Sequence, residues 1–127
     1  MKYLLDSNII IDFLKGALNT NVYEFLLPII DDEVILSIIS KMEILGFNFE
    51  NENEENIYKT FIENSLILNL YENIVNKTIE IRKNKKIRLA DAIIASTAIS
   101  NDYTLITRNI KDFKNINELK FLDYSEI

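Results

Sequence analysis

A chain of 127 residues, 48% hydrophobic and 27% charged, with a net charge of −6, has the size and balance of one soluble globular domain spanning 1–127. It contains neither Cys nor His, which excludes a disulfide framework, a thiolate or His-assisted nucleophile, a His base acting through an RNA 2′-hydroxyl, and an ordinary zinc site. No apolar run reaches the roughly 18 to 20 residues of a membrane span and no signal-peptide pattern opens the chain, so a cytoplasmic location without membrane contact is expected.

The predicted elements begin with a short strand at Lys2 to Leu5, then a helix from about Ile9 to Lys15 that Gly16 stops. "EVILSI" reads as a buried strand, and "SKMEILGF" as a helix after it. The Asn- and Glu-rich "NFENENEEN" is a loop leading into a helix from Glu54 to Asn64, with Ile57, Phe61 and Ile62 on one side. "SLILNL" is a third strand, and a helix from Glu72 to Asn84 carries Ile74, Val75, Thr78, Ile79 and Ile81. "ADAIIASTAIS" is a helix of small residues, "YTLIT" a fourth strand, Ile110 to Phe113 a helical turn, and "KFLDY" a fifth strand. Short apolar strands alternating with helices indicate a three-layer α/β/α domain around a mainly parallel sheet of about four to five strands. Ligands of such sheets bind beyond the carboxyl ends of the strands.

Polar residues fall at those ends. Asp6 follows the first strand, Glu43 lies just past the second, Asp91 opens the small-residue helix, and Asn109 with Asp112 follows the fourth strand. Each has a structural explanation of its own. Asp6 or Ser7 can cap a helix, Ser40 to Glu43 fits a capping box, and Asp91 suits the dipole of a first helical turn. Asn109 suits a turn and Asp112 a solvated surface. Taken jointly they ask for more, because carboxylates about 5 Å apart repel by roughly 3 kcal/mol per pair at an effective dielectric of 20. Either they stay apart, or a shared proton or a divalent cation offsets the repulsion. Oxygen-only donors favour Mg²⁺ or Mn²⁺.

The acidic balance argues against a nucleic-acid partner, but the charge is unevenly spread. Arg82, Lys83, Lys85, Lys86 and Arg88 form one basic run, whereas acids gather at Asp31, Asp32 and Glu33 and at Glu50, Glu52, Glu54 and Glu55. The run is either a basic patch or a solvated helix end.

Four segments, "YLLDSNIIIDFLKG", "LSIISKMEILGF", "IRLADAIIASTAI" and "YTLITRNIKDF", resemble in order and spacing the signature segments of PIN-domain nucleases, specifically the small VapC-type toxins of prokaryotic toxin–antitoxin pairs. The resemblance runs from Met1 to about Phe113. It implies that the family's acids fall on Asp6, Glu43 and Asp91, with the fourth position on Asn109 and Asp112 near enough to substitute for it. Ser7 and Asn8 match the hydroxyl and amide residues of the first signature. Ser7 stands where Thr is usual, Ala90 where Pro often precedes the third acid, and Ser96 where Ala is frequent. Asn109 lowers the charge of the fourth corner.

By this resemblance the chain is an endoribonuclease that hydrolyses RNA phosphodiesters with one or two Mg²⁺ or Mn²⁺ ions held by Asp6, Glu43, Asp91, Asn109 and Asp112. It implies a homodimer inhibited by a VapB-like antitoxin. Arg82, Lys83, Lys85, Lys86, Arg88 and Arg108 become candidates for RNA phosphates. The alternatives are a catalytically silent PIN domain serving as a binding module, and a Mg²⁺-binding phosphoacceptor receiver domain. "SLILNLYEN" offers no phosphoacceptor Asp for the latter, and Asn8 occupies the place of the second Asp of a dehalogenase-type phosphatase.

Overall fold

Successive residues of a strand face opposite ways, so two adjacent apolar residues can serve two separate cores. The computed structural model describes residues 2–127, and its short strands use this alternation throughout. Leu5, Leu36 and Ile106 join one buried cluster, whereas Leu4, Ile35 and Leu105 join another. All six side chains are buried. Fully burying a Leu or Ile is worth about 1.5–3 kcal/mol, which makes these doubly covered strands the keel of the fold.

The elements in chain order are β1 (Tyr3–Leu5), α1 (Ser7–Leu14), α2 (Thr20–Asp32), β2 (Ile35–Ser37), α3 (Ile38–Leu45), α4 (Glu52–Glu63), β3 (Leu66–Leu68), α5 (Glu72–Asn84), α6 (Leu89–Ser100), β4 (Thr104–Thr107), α7 (Ile110–Phe113) and β5 (Phe121–Asp123), followed by a 3₁₀ turn at Tyr124–Glu126. All strand pairs are parallel. β1, β4 and β5 form one ladder in the order β1-β4-β5, and β2 pairs with β3 in a second. β2 runs alongside β1, so the five strands make one layer split by a seam. The first cluster draws on α1, α2, α3 and α4, and the second on α5, α6 and α7. The predicted three-layer α/β/α architecture is therefore present.

Several local expectations are corrected. The first helix begins at Ser7 because Asp6 is its N-cap, with Oδ1 accepting from the Ser7 N–H at 2.8 Å. Gly16 follows it at φ +69°, a backbone shape that suits glycine. α2 is absent from the sequence reading, whose only Pro, Pro28, sits inside it on the exposed side. Its start is nevertheless well capped, by Asn19 accepting from the Val22 N–H at 2.9 Å. The capping box at Ser40 does not form. α3 starts at Ile38, where the Ser37 hydroxyl accepts from the Ile39 N–H at 3.0 Å.

On α4 the buried pair is Tyr58 and Ile62, while Ile57 faces solvent, and on α5 Ile79 does the same. The N-cap of α4 is Asn51, within the biased segment, so the helix begins two residues earlier than expected. The strands are each three or four residues long, shorter than their apolar runs.

Ser40 is left inside α3 with its Oγ buried and, among the described residues, without a hydrogen-bond partner. Such a group costs about 1–3 kcal/mol. Ser40→Ala is therefore expected to raise the unfolding free energy by about 1 kcal/mol in urea denaturation. A loss of stability instead would show that the hydroxyl is satisfied.

Candidate active site

β1 and β4 lie side by side in parallel register, with Leu5 opposite Ile106. The residues that follow, Asp6 and Thr107, therefore emerge together at the carboxyl rim. The Asp6 N–H continues the ladder to the Ile106 carbonyl at 3.0 Å. Asp6 is only 6% exposed, yet both its oxygens are used. Oδ1 takes the Ser7 N–H, and Oδ2 takes the Thr107 hydroxyl at 2.8 Å. Thr107 Oγ1 in turn accepts from the Asn109 N–H at 3.0 Å. The backbone of the fourth site position is thus tied to the first acid through one buried hydroxyl.

α3 follows directly from β2 and carries Glu43 to the same rim. The Ser7 hydroxyl donates to Glu43 Oε1 at 3.1 Å, so one serine braces both acids, by its N–H and by its side chain. α6 delivers Asp91, also 6% exposed, whose Oδ2 accepts from Arg88 Nε at 3.1 Å. Asn109 Nδ2 donates to Asp112 Oδ2. The charge of Asp112 in turn reaches Asp91.

Burial is the main cause that raises the Asp6 pKa above its ordinary value; hydrogen bonds from Thr107 and Ser7 counter it, and the Asp91 charge adds to it. Asp91 is likewise raised chiefly by burial, against the lowering effect of Arg88, with Asp112 pushing it further up. Glu43 is exposed as a residue, but its carboxylate leans back on Ser7. Lost hydration raises its pKa, the Ser7 bond lowers it, and the charges of Asp6 and Asp91 raise it again. Three acids from three elements thus feel one another, and all hold protons more tightly than free carboxyls.

A family model of the PIN domain matches residues 3–119. The chain belongs to the PIN-domain family. The ribonuclease VapC1 of Rickettsia felis is 30% identical over 98% of this chain and 98% of its own length. The ribonuclease VapC of Rickettsia bellii is 30% identical over 96% of both. Among solved structures, a toxin-antitoxin complex from Klebsiella pneumoniae contains a chain 27% identical to this one, with TM-score 0.77 over 99% of this chain and 100% of that one.

In this PIN domain, Asp6, Glu43, Asp91, Asn109 and Asp112 all lie at one rim, as their positions after the strands lead one to expect. Among the described residues no three carboxylates close on a single point tightly enough to chelate one ion directly. Asn8 is half-buried on α1, and among the described residues no hydrogen bond joins its side chain to the acids. Arg108 is committed elsewhere, to Asp12 Oδ2 at 3.0 Å.

The basic run gathers more closely than a solvated helix end requires. Arg82, Lys85, Lys86, Arg88 and Lys111 line a groove of about 680 Å³ that reaches Asp112. Lys83 is exposed and lies on a neighbouring depression with Ile79 and Leu89. Thr107 went unnoticed in the sequence. Its only signal there is a hydroxyl residue at the end of the fourth strand, two before Asn109.

Thr107→Val removes a buried donor from Asp6 and a buried acceptor from the Asn109 N–H. It is expected to cost about 1–3 kcal/mol in denaturant titration, with Thr107→Ser restoring most of the loss. The acids also predict an inverted pH response. Because their folded values lie above the unfolded ones, their contribution to stability is full below the ordinary carboxylate range and is lost as pH rises through the raised values. In chelator, Asp6→Asn should therefore gain stability relative to the parent as pH rises from about 4 to 7, measured by thermal melts. A constant difference would contradict the raised value of Asp6.

Proposed function

We propose that this PIN domain is a ribonuclease of the VapC kind, the toxin of a toxin–antitoxin pair, hydrolysing RNA phosphodiesters with the help of a divalent cation. The observation that carries the reading is that Asp6, Glu43 and Asp91, from three separate elements, lie near enough to feel one another's charge, beside a groove lined by cations. Supporting it are relatives of nearly equal length named ribonuclease VapC, and a similar chain in a toxin-antitoxin complex.

The donor set suits Mg²⁺ or Mn²⁺, since every candidate ligand is an oxygen and neither His nor Cys is available. The looseness of the cluster suits an ion held by one or two carboxylates with water in its other positions, which is the habit of Mg²⁺. Asp6, Glu43 and Asp91 would hold it, one or two of them directly and the rest through its waters, with Asn109 and Asp112 at the edge. When bound, the cation supplies an acidified water and neutralises charge that builds on the phosphate.

The chain's own residues supply position. Each Asp6 oxygen spends one lone pair on Ser7 or Thr107 and keeps another free, so its carboxylate is fixed in orientation without being used up. Ser7 fixes Glu43 against it. The acid rim alone would repel a polyanion. The cations of the groove offset that repulsion and draw the backbone alongside the acids without covering them.

No helix among the described residues is long and apolar enough to cross a membrane, in keeping with a cytoplasmic toxin. The net charge of −6 suits a basic inhibitory segment of a VapB-like antitoxin. A homodimer belongs to the same reading by family resemblance.

The test is to incubate the protein and its Asp6→Asn variant with total RNA, with Mg²⁺, with Mn²⁺ and in chelator. Cleavage is expected only with cation, leaving 5′-phosphate and 3′-hydroxyl ends, and should fall by about a hundredfold or more in the variant. Because the Asn Oδ1 can still cap α1 by accepting from the Ser7 N–H, and its Nδ2 can donate to Thr107 Oγ1 in place of the bond Asp6 receives there, the variant should keep its circular dichroism spectrum. Equal cleavage by both proteins, or none under any cation, would overturn the assignment.

A further inference from the structure

Arg88 belongs to two surfaces at once. It is the N-cap residue of α6, and its Nε donates to Asp91 Oδ2 at 3.1 Å. Its charge is felt by Asp112 and Glu43 as well. Among the described residues it makes the only salt bridge to any of Asp6, Glu43 and Asp91. The same side chain lines the basic groove with Arg82, Lys85, Lys86 and Lys111.

The two ends of the ion pair differ in freedom. The Asp91 side chain is 8% exposed, whereas that of Arg88 is 76% exposed. A guanidinium carries five N–H donors, and the contact with Asp91 uses one of them. An ion pair with so exposed a partner is weakly held. A doubly charged ion at the same carboxylate outcompetes it, because attraction scales with the charge.

We infer that Arg88 is the site's built-in counter-cation: it neutralises Asp91 while the acid rim is empty, gives way to a divalent cation, and is then released to take an RNA phosphate at the mouth of the groove. The inference rests on the divalent-cation reading above and adds to it a residue that couples cation loading to RNA capture. Without such a residue, the rim's repulsion and the groove's attraction would act independently. With it, RNA is gripped most strongly when the cation is in place.

The experiment uses Arg88→Ala and Arg88→Lys in two measurements. Mn²⁺ binding is read by isothermal titration, and binding of a short phosphorothioate RNA, which resists hydrolysis, by fluorescence anisotropy with Mn²⁺ and in chelator. Arg88→Ala is expected to bind Mn²⁺ about two- to fivefold tighter, the worth of an exposed ion pair. Its RNA affinity should fall about threefold or more with Mn²⁺ and less than about twofold in chelator, with Arg88→Lys between alanine and the parent. Unchanged or weaker Mn²⁺ binding by Arg88→Ala, or an equal loss of RNA affinity in both conditions, would overturn the inference alone. No Mn²⁺ uptake by the parent protein would overturn the divalent-cation reading and the inference with it.

Discussion

The hydrogen bond from the Thr107 hydroxyl to Asp6 joins residues 101 positions apart and holds a carboxylate almost out of water at the end of the central strand. An isolated carboxylate could not stay charged there. Its charge is tolerable because the Ser7 N–H and Thr107 each supply a donor, and because β1 and β4 are paired in the one register that brings Asp6 beside Thr107. The register is in turn set by alternation. Slipping β4 by a single residue against β1 would exchange Leu105 with Ile106 between the two cores while Leu4 and Leu5 stayed in place. The position of the site is thus fixed by the same apolar pattern that builds the sheet.

This dependence explains what could be read from the chain and what could not. Strand and helix alternation is written in apolar runs, so the three-layer architecture and the rim were legible. The acids were legible as a set because each follows a strand or opens a helix. Asp6 was legible both as the helix cap it proves to be and as a candidate site carboxylate. Its second bond, from the Thr107 hydroxyl, was not. Ser37 and Ser40 offer the same capping chemistry three residues apart, and only the length of β2 decides between them. α2, for which no element was expected, starts at a good cap, Asn19, and holds Pro28 in its interior. Thr107 was invisible because a buried hydroxyl gains its meaning from a partner that only the fold provides.

The charge distribution follows a similar logic. A protein of net charge −6 would be a poor partner for a polyanion if its charges were smeared evenly. Here Asp31, Asp32 and Glu33 close α2, and with Val34 they line a depression beside α4. The cations from Arg82 to Arg88 instead flank α6, next to Asp91. The net charge and the local field therefore point to different partners. The acidic remainder suits a basic protein, and the groove suits phosphate.

Arg108 shows why sequence proximity to the site does not make a cation available to it. It lies next to Asn109 but is held by Asp12 of α1, whose Oδ2 also accepts from the Tyr124 hydroxyl at 2.9 Å. Burial and the Asp12 hydrogen bond both raise the Tyr124 pKa, so the phenol keeps its proton and remains a donor. One carboxylate thus clamps three distant segments: the second turn of α1, the residue after β4, and the turn after β5. The start of α1 carries Asp6 and Ser7, and the end of β4 carries Thr107. By bracing both elements just beyond the rim, the Asp12 clamp limits how far Asp6 and Thr107 can move apart, and hence how far the buried hydrogen bond that orients the first acid can open.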